Sequence, residues 1–200
     1  MPELSKNLLI MLITSVLTEN LILSQFLGIC PFLGVSKKIS SSFGMGVMIT
    51  FVMFMATVLT FPIYAFILKP LGIEFMHTIV FILIIALFVQ LSEMILKKHI
   101  PSLYKSLGIY LPLVVTNCAI LAVTILNATG EYSFVEAMFS ALFSGIGFLI
   151  VLLIFSGVRA RMEKCDVPMS MRGMPITLVA AGIVSLSFIG FGGIVEGIFG

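Results

Sequence analysis

Residues 39–68, 106–130, 137–158 and 173–195 contain no charged side chain. Each run exceeds the roughly 20 apolar residues that a helix needs to cross a hydrocarbon layer about 30 Å thick. Two further stretches qualify with few interruptions. Between Lys6 and Lys37 the only charge is Glu19, and 70–96 holds only Glu74 and Glu93, which can sit near the membrane interfaces. The runs are continuously apolar and lack the period-2 alternation of a barrel strand, so a β-barrel is excluded. With 60% hydrophobic and 10% charged residues and a mean hydropathy of +1.24, the 200-residue chain has no polar sequence left for a soluble domain. The expectation is one all-α integral membrane domain over 1–200 with six transmembrane helices.

Charge placement orients it. If the spans alternate, Lys37, Lys38, Lys97, Lys98, Lys105, Arg159, Arg161, Lys164 and Arg172 fall on one side and only Lys6 and Lys69 on the other. Cytoplasmic loops carry the excess of Lys and Arg, so both termini are expected outside the cytoplasm. The opening MPELSKNLLIMLITSVL has no small-residue cleavage site after its apolar run and reads as the first span. A net charge of +2 excludes nucleic acid as a partner, and three cysteines without paired spacing do not describe a disulfide framework.

Six spans divide into two groups of three, here 1–98 and 99–200. An odd number per group makes the second group enter the membrane from the opposite face, which is an inverted repeat. Cysteines recur in both halves: Cys30 beside Pro31, and Cys118 near Pro112. The first stretch holds more chain than a straight crossing needs, and Gly28, Pro31 and Gly34 crowd its last third. The expectation is a broken or half helix at GICPFLG, and a second one at YLPLVVTNCAIL.

A single buried cysteine is most simply a small hydrophobe in a core. Two at matching places beside helix breaks would meet near the pseudo-two-fold axis, which raises a metal or cluster role to equal standing. Two thiolates do not complete such a site, because zinc and a 2Fe-2S cluster each take four ligands. Cys165, in the charged segment RARMEKCDVPMSMRG, reads as a free surface thiol. Half a ligand set in a chain with internal pseudo-symmetry suggests a partner of similar design.

The segments ENLILSQFLGICPFLGVSKK, FVQLSEMIL, LYKSLGIYLPLVVTNCAIL and DVPMSMRGMPITLVAAGIVSLSFIGFGG together resemble a family of membrane proteins. It comprises the A component of Rnf electron-transport complexes and its relative, the E component of the sodium-pumping NADH:quinone reductase. The resemblance runs over nearly the whole chain. Pro31 and Gly34 are more similar to the Rnf branch, and Glu19 with Asn20 to the quinone-reductase branch. The resemblance implies six spans in two inverted halves and an intramembrane 2Fe-2S cluster shared with a homologous membrane protein, the E component of the Rnf complex. Each chain would give two cysteines, here Cys30 and Cys118. It also implies a prokaryotic inner or plasma membrane and a ferredoxin:NAD oxidoreductase complex coupled to Na+ or H+ movement. The B, C, D and G components would be further partners, with FMN, riboflavin and other iron–sulfur centres on those chains, where ferredoxin and NAD also act. Gly28, Gly34, Thr116 and Asn117 are candidates for contacts around the sulfurs.

Glu19 lies within an apolar segment, where an ionised carboxylate is expensive, so it is either a coupling-ion ligand or is neutralised by pairing with Asn20 and Gln25. Glu93 stands four residues before Lys97, at ion-pair spacing. His77 and His99 show no ligand pattern. Gly193 and Gly197 have small-xxx-small spacing suited to close helix contact. No nucleotide fingerprint or nucleophile–base motif is present. The rival reading is a secondary transporter of small solutes or ions, an architecture that also uses inverted repeats with broken helices.

Overall fold

The computed structural model describes residues 25–36, 39–72, 74–99, 114, 117–130, 132–162, 165–166 and 168–199. Residues 1–24 of the expected first span, with Glu19, the first part of the expected fourth span with Pro112, and Thr116 lie outside the described residues. Among the described residues every regular element is helical. The helices are α1 (Ile29–Val35), α2 (Ile39–Ile63), α3 (His77–His99), α4 (Cys118–Thr129), α5 (Phe134–Met162) and α6 (Met174–Phe199). Helix α2 continues through a π-helical turn, Tyr64–Leu68, into a last α turn, Lys69–Leu71, closed by Gly72 at φ +67°. Pro62 lies inside α2 just before the π turn. A missing N–H and a crowded ring at such a position disturb the regular hydrogen-bond ladder, and a one-turn π bulge absorbs the fault without ending the helix.

Among the described residues, three helices have membrane-crossing length and apolarity: Ile39–Leu68, His77–Ile95 and Phe134–Met162. Cys118–Thr129 and Met174–Gly190 are shorter apolar helices. Their outer faces are as apolar as their inner ones. On α3, Phe81, Ile85 and Val89 are buried while Ile79, Leu83, Leu87 and Leu91 are exposed. A helix apolar all round belongs in a hydrocarbon solvent. Within these helices Thr57, Thr60 and Ser92 each donate to the carbonyl four residues back, at 3.0, 2.8 and 2.9 Å, so these three hydroxyls are satisfied inside their own helices.

The core is built on the crossing of α2 and α5, and that crossing is set by two glycines. A Cβ at Gly145 would lie 2.7 Å from Thr50 Cγ2 and 2.9 Å from Thr50 Cα; one at Gly46 would lie 2.8 Å from Leu149 Cδ1. Where lipid is as apolar as the side chains, helices associate by close packing, and small residues let the backbones approach. Met45, Ile49 and Met53 of α2 and Phe148, Leu152 and Phe155 of α5 fill the joint, with Ile120 of α4 packed in the same core. Two local devices fix the α4–α5 corner. Ser133 N–H donates to Glu136 Oε2 at 2.9 Å, half of a capping box that starts α5, and buried Asn127 Nδ2 donates to Ala137 O at 3.2 Å.

Candidate functional site: two cysteines at helix starts

The chain enters α1 through backbone that favours glycine. Phe26 has φ +55° and Gly28 has φ +82°, after which Ile29–Val35 form a seven-residue helix. The irregular backbone expected at GICPFLG falls at its first residue, Gly28, and at Phe26 before it, while Ile29 to Gly34 are helical, so its cause differs from the sequence reading. Pro31 is the third residue of α1, inside the first turn, where an N–H has no partner within the helix to lose. Proline opens this helix; the left-handed residues before it make the break. Cys30 is the second residue of α1, and its side chain is exposed.

Cys118 also stands at a helix start. It is the first residue of α4, preceded by Asn117 as N-cap with φ −74° and ψ 113°. Asn117 Oδ1 accepts from Ala119 N–H at 3.0 Å. Cys118 is exposed, while its neighbours Asn117 and Ala119 are 4% and 0% exposed. The two helix starts touch: Gly28 N–H donates to Cys118 Sγ at 3.0 Å, across 90 residues of sequence.

That contact explains why residue 28 is glycine. A Cβ there would lie 2.8 Å from Phe148 Cε2, 3.2 Å from Ala119 Cβ and 3.3 Å from Asn117 Oδ1. Gly28, Asn117 and Cys118 thus form one cluster, with Cys30 two residues beyond Gly28. Asn117 Nδ2 is buried with no hydrogen-bond partner among the described residues. Gly34 is placed differently from the cysteine cluster. It lies one turn past Cys30 and lines a cavity of about 720 Å³ with Arg159, Arg172 and Cys165. Cys165 is exposed, as expected of a surface thiol.

The charge pattern places Arg159 in a loop, because it ends a charge-free run. It lies instead inside α5, only 7% exposed, and Nη1 donates to Leu33 O at 2.7 Å and to Ser36 Oγ at 2.8 Å. A signal was available: no glycine or proline follows Gly157 until Pro168, so nothing in the sequence stops the helix before the arginine.

A 2Fe-2S cluster takes four ligands. Among the described residues no group of three or more His, Cys, Asp or Glu side chains could hold a metal ion. Cys30 and Cys118 fit half of such a ligand set. Both thiols are free and exposed, both sit at helix starts, and one already accepts a backbone N–H. Hydrogen bonds to sulfur of this kind tune iron–sulfur centres.

Membrane-length apolar helices with apolar outer faces, joined through glycine crossings, define an integral membrane protein, and Cys30 and Cys118 stand exposed at two helix starts that touch through Gly28. Residues 8–195 match the family model described as "Rnf-Nqr subunit, membrane protein", and the chain belongs to that family. It is 47% identical over 186 residues to the A component of the Na(+)-translocating ferredoxin:NAD(+) oxidoreductase complex of Acetobacterium woodii, covering 93% of this chain and 97% of that one. It is equally 47% identical to the A component of the ion-translocating oxidoreductase complex of Syntrophotalea carbinolica, over 96% of this chain and 100% of the relative. The protein of the same name from Aliivibrio fischeri is 47% identical over 94% and 97%.

Proposed function

We propose that this chain is the A component of an Rnf-type ferredoxin:NAD oxidoreductase complex that moves Na+ or H+ across a prokaryotic plasma membrane. In it the chain carries electrons through the bilayer, using a 2Fe-2S cluster held jointly with a homologous membrane protein. Each chain supplies two thiolates, here Cys30 and Cys118. The observation that carries the reading is the Gly28 N–H···Sγ bond to Cys118. It ties together two helix starts, one from each proposed half, and both bear an exposed cysteine. The relatives' names, which place them in ion-translocating oxidoreductase complexes, support the setting.

The proposed topology has six spans, 1–98 and 99–200 as inverted halves, with both termini outside the cytoplasm. When bound, the cluster supplies a one-electron way-station that divides a transfer across the bilayer into shorter steps. The chain's own residues do the rest. Gly28 lets α1 approach α4 closely enough for its N–H to hold the Cys118 sulfur in place. Asn117 starts α4 at the position that turns Cys118 outward, and its free amide donor adds a second group able to bond sulfur. Exposure of both thiols leaves them open to the partner that completes the ligand set.

The test is co-expression with the homologous membrane protein. The purified pair should contain about two irons and give the paramagnetic signal of a reduced 2Fe-2S centre. Cys30→Ser or Cys118→Ser should abolish it, while Cys165→Ser should leave it intact. A colourless pair whose properties survive both substitutions is the result expected of a solute carrier, and it would refute the proposal.

A further inference from the structure

Helix α1 has only seven residues. An isolated helix of that length is far below the 12 to 15 residues at which helices become even marginal in water, so its form depends on what its ends touch. Its start is tied by Gly28 to Cys118. The other end is tied at three places. Arg159 Nη1 binds Leu33 O and Ser36 Oγ at 2.7 and 2.8 Å, Ser42 Oγ donates to Val35 O at 3.2 Å, and Phe32 stacks on Phe155 with centroids 4.2 Å apart. Phe155 and Arg159 are one turn apart on α5, so a single face of α5 grips α1 through a ring and a guanidinium. Leu33 O is one of the four terminal carbonyls that a helix cannot satisfy itself, and a cation there also opposes the negative end of the helix dipole.

We infer that Arg159 is a positioning residue for Cys30: its buried guanidinium clamps the C-terminal end of α1 and so fixes the first turn that presents the thiol. It also holds a positive charge at the far end of a helix about 10 Å long. The inference rests on the reading of Cys30 as a cluster ligand. A charge at that distance in protein of intermediate dielectric favours the more negative, reduced state of a redox centre by roughly tenfold, equivalent to about 59 mV for a one-electron couple.

The test uses the assembled complex and two readouts, cluster signal per complex and midpoint potential. Arg159→Met should lose more than half of the signal at equal complex abundance, and the remaining centre should titrate at a potential lower by the stated shift. Arg159→Lys, which keeps charge and a donor, should recover the potential. Ser36→Ala keeps the charge and removes one acceptor, so it should lower the signal and leave the potential unmoved. If Arg159→Met does not assemble, Arg159→Gln carries the same expectation, and if neither neutral variant assembles, Ser36→Ala decides through its signal. A potential that is unchanged in the neutral variants, or a full signal in Ser36→Ala, overturns the inference. Absence of any cluster signal in the unsubstituted complex would refute the cluster reading itself.

Discussion

Gly28→Ala separates two reasons for a glycine. The residue has φ +82°, where an L side chain costs about 1–2 kcal/mol from its own backbone. The new methyl would also sit 2.8 Å from Phe148 Cε2 and 3.2 Å from Ala119 Cβ. Phe148 is 1% exposed and Ala119 0%, so neither can swing aside, and overpacking of this kind adds about 1–3 kcal/mol. The total expected loss is about 2–5 kcal/mol. Gly72 is an internal control: its φ is +67°, in the same left-handed region, yet a Cβ there meets nothing within 4 Å. Gly72→Ala should therefore lose only the backbone part, about 1–2 kcal/mol. Unfolding titrations of both variants in mixed detergent micelles measure the difference. Relief of the clash must push α1 from α4 and lengthen the bond to Cys118, so Gly28→Ala should also lower the cluster signal where Gly72→Ala does not. Equal stability losses for the two alanines would refute the close approach of the helix starts.

The α2–α5 crossing predicts an order between two similar substitutions. Gly145→Ala should cost about 1–3 kcal/mol in the same titration, because its methyl meets the Thr50 backbone at 2.9 Å. Gly46→Ala should cost less, because its methyl meets the movable end of Leu149. Asn117→Ala removes the N-cap of α4 and should destabilise the fold by about 0.5–2 kcal/mol. Asn117→Ser restores a capping oxygen but not the amide donor, so it should recover stability while still shifting the cluster's midpoint potential. Glu19→Gln should preserve electron transfer from ferredoxin to NAD in membrane vesicles and abolish the accompanying ion uptake if the carboxylate is the coupling-ion ligand. Unimpaired uptake would assign it a packing role.

The membrane class and the helix break near Cys30 were legible in the sequence because each follows from local chemistry. A charge-free run longer than the bilayer is thick admits few structures, and a glycine able to take positive φ, followed closely by a proline suited to a first turn, marks a place where a helix can start. The detail of the break was less legible. Proline is read as an interrupter, yet at the third helical position Pro31 loses nothing, and the positive φ falls on Gly28 and also on Phe26, a residue type that gives no such warning. The register of α2 on α5 was not legible either. Gly46 and Gly145 look like any other glycines in an apolar run until the two helices are laid together, since each matters only through a residue of the other helix.

Arg159 shows most clearly where sequence reasoning stops. A charge at the end of an apolar run is ordinarily solvated, and treating it as a loop residue is the correct default. What overrides the default is a second helix too short to satisfy its own carbonyls, lying against α5 at that level. Neither fact is local. Helix α1 forms because its ends are bound by Cys118, Ser42 and Arg159, and those residues have their positions because α2, α4 and α5 pack around it. The cysteine-bearing turn is thus specified by the surrounding helices more than by its own seven residues. It follows that substitutions on α5, well removed in sequence from Cys30, should act on the same site as substitutions beside the cysteine.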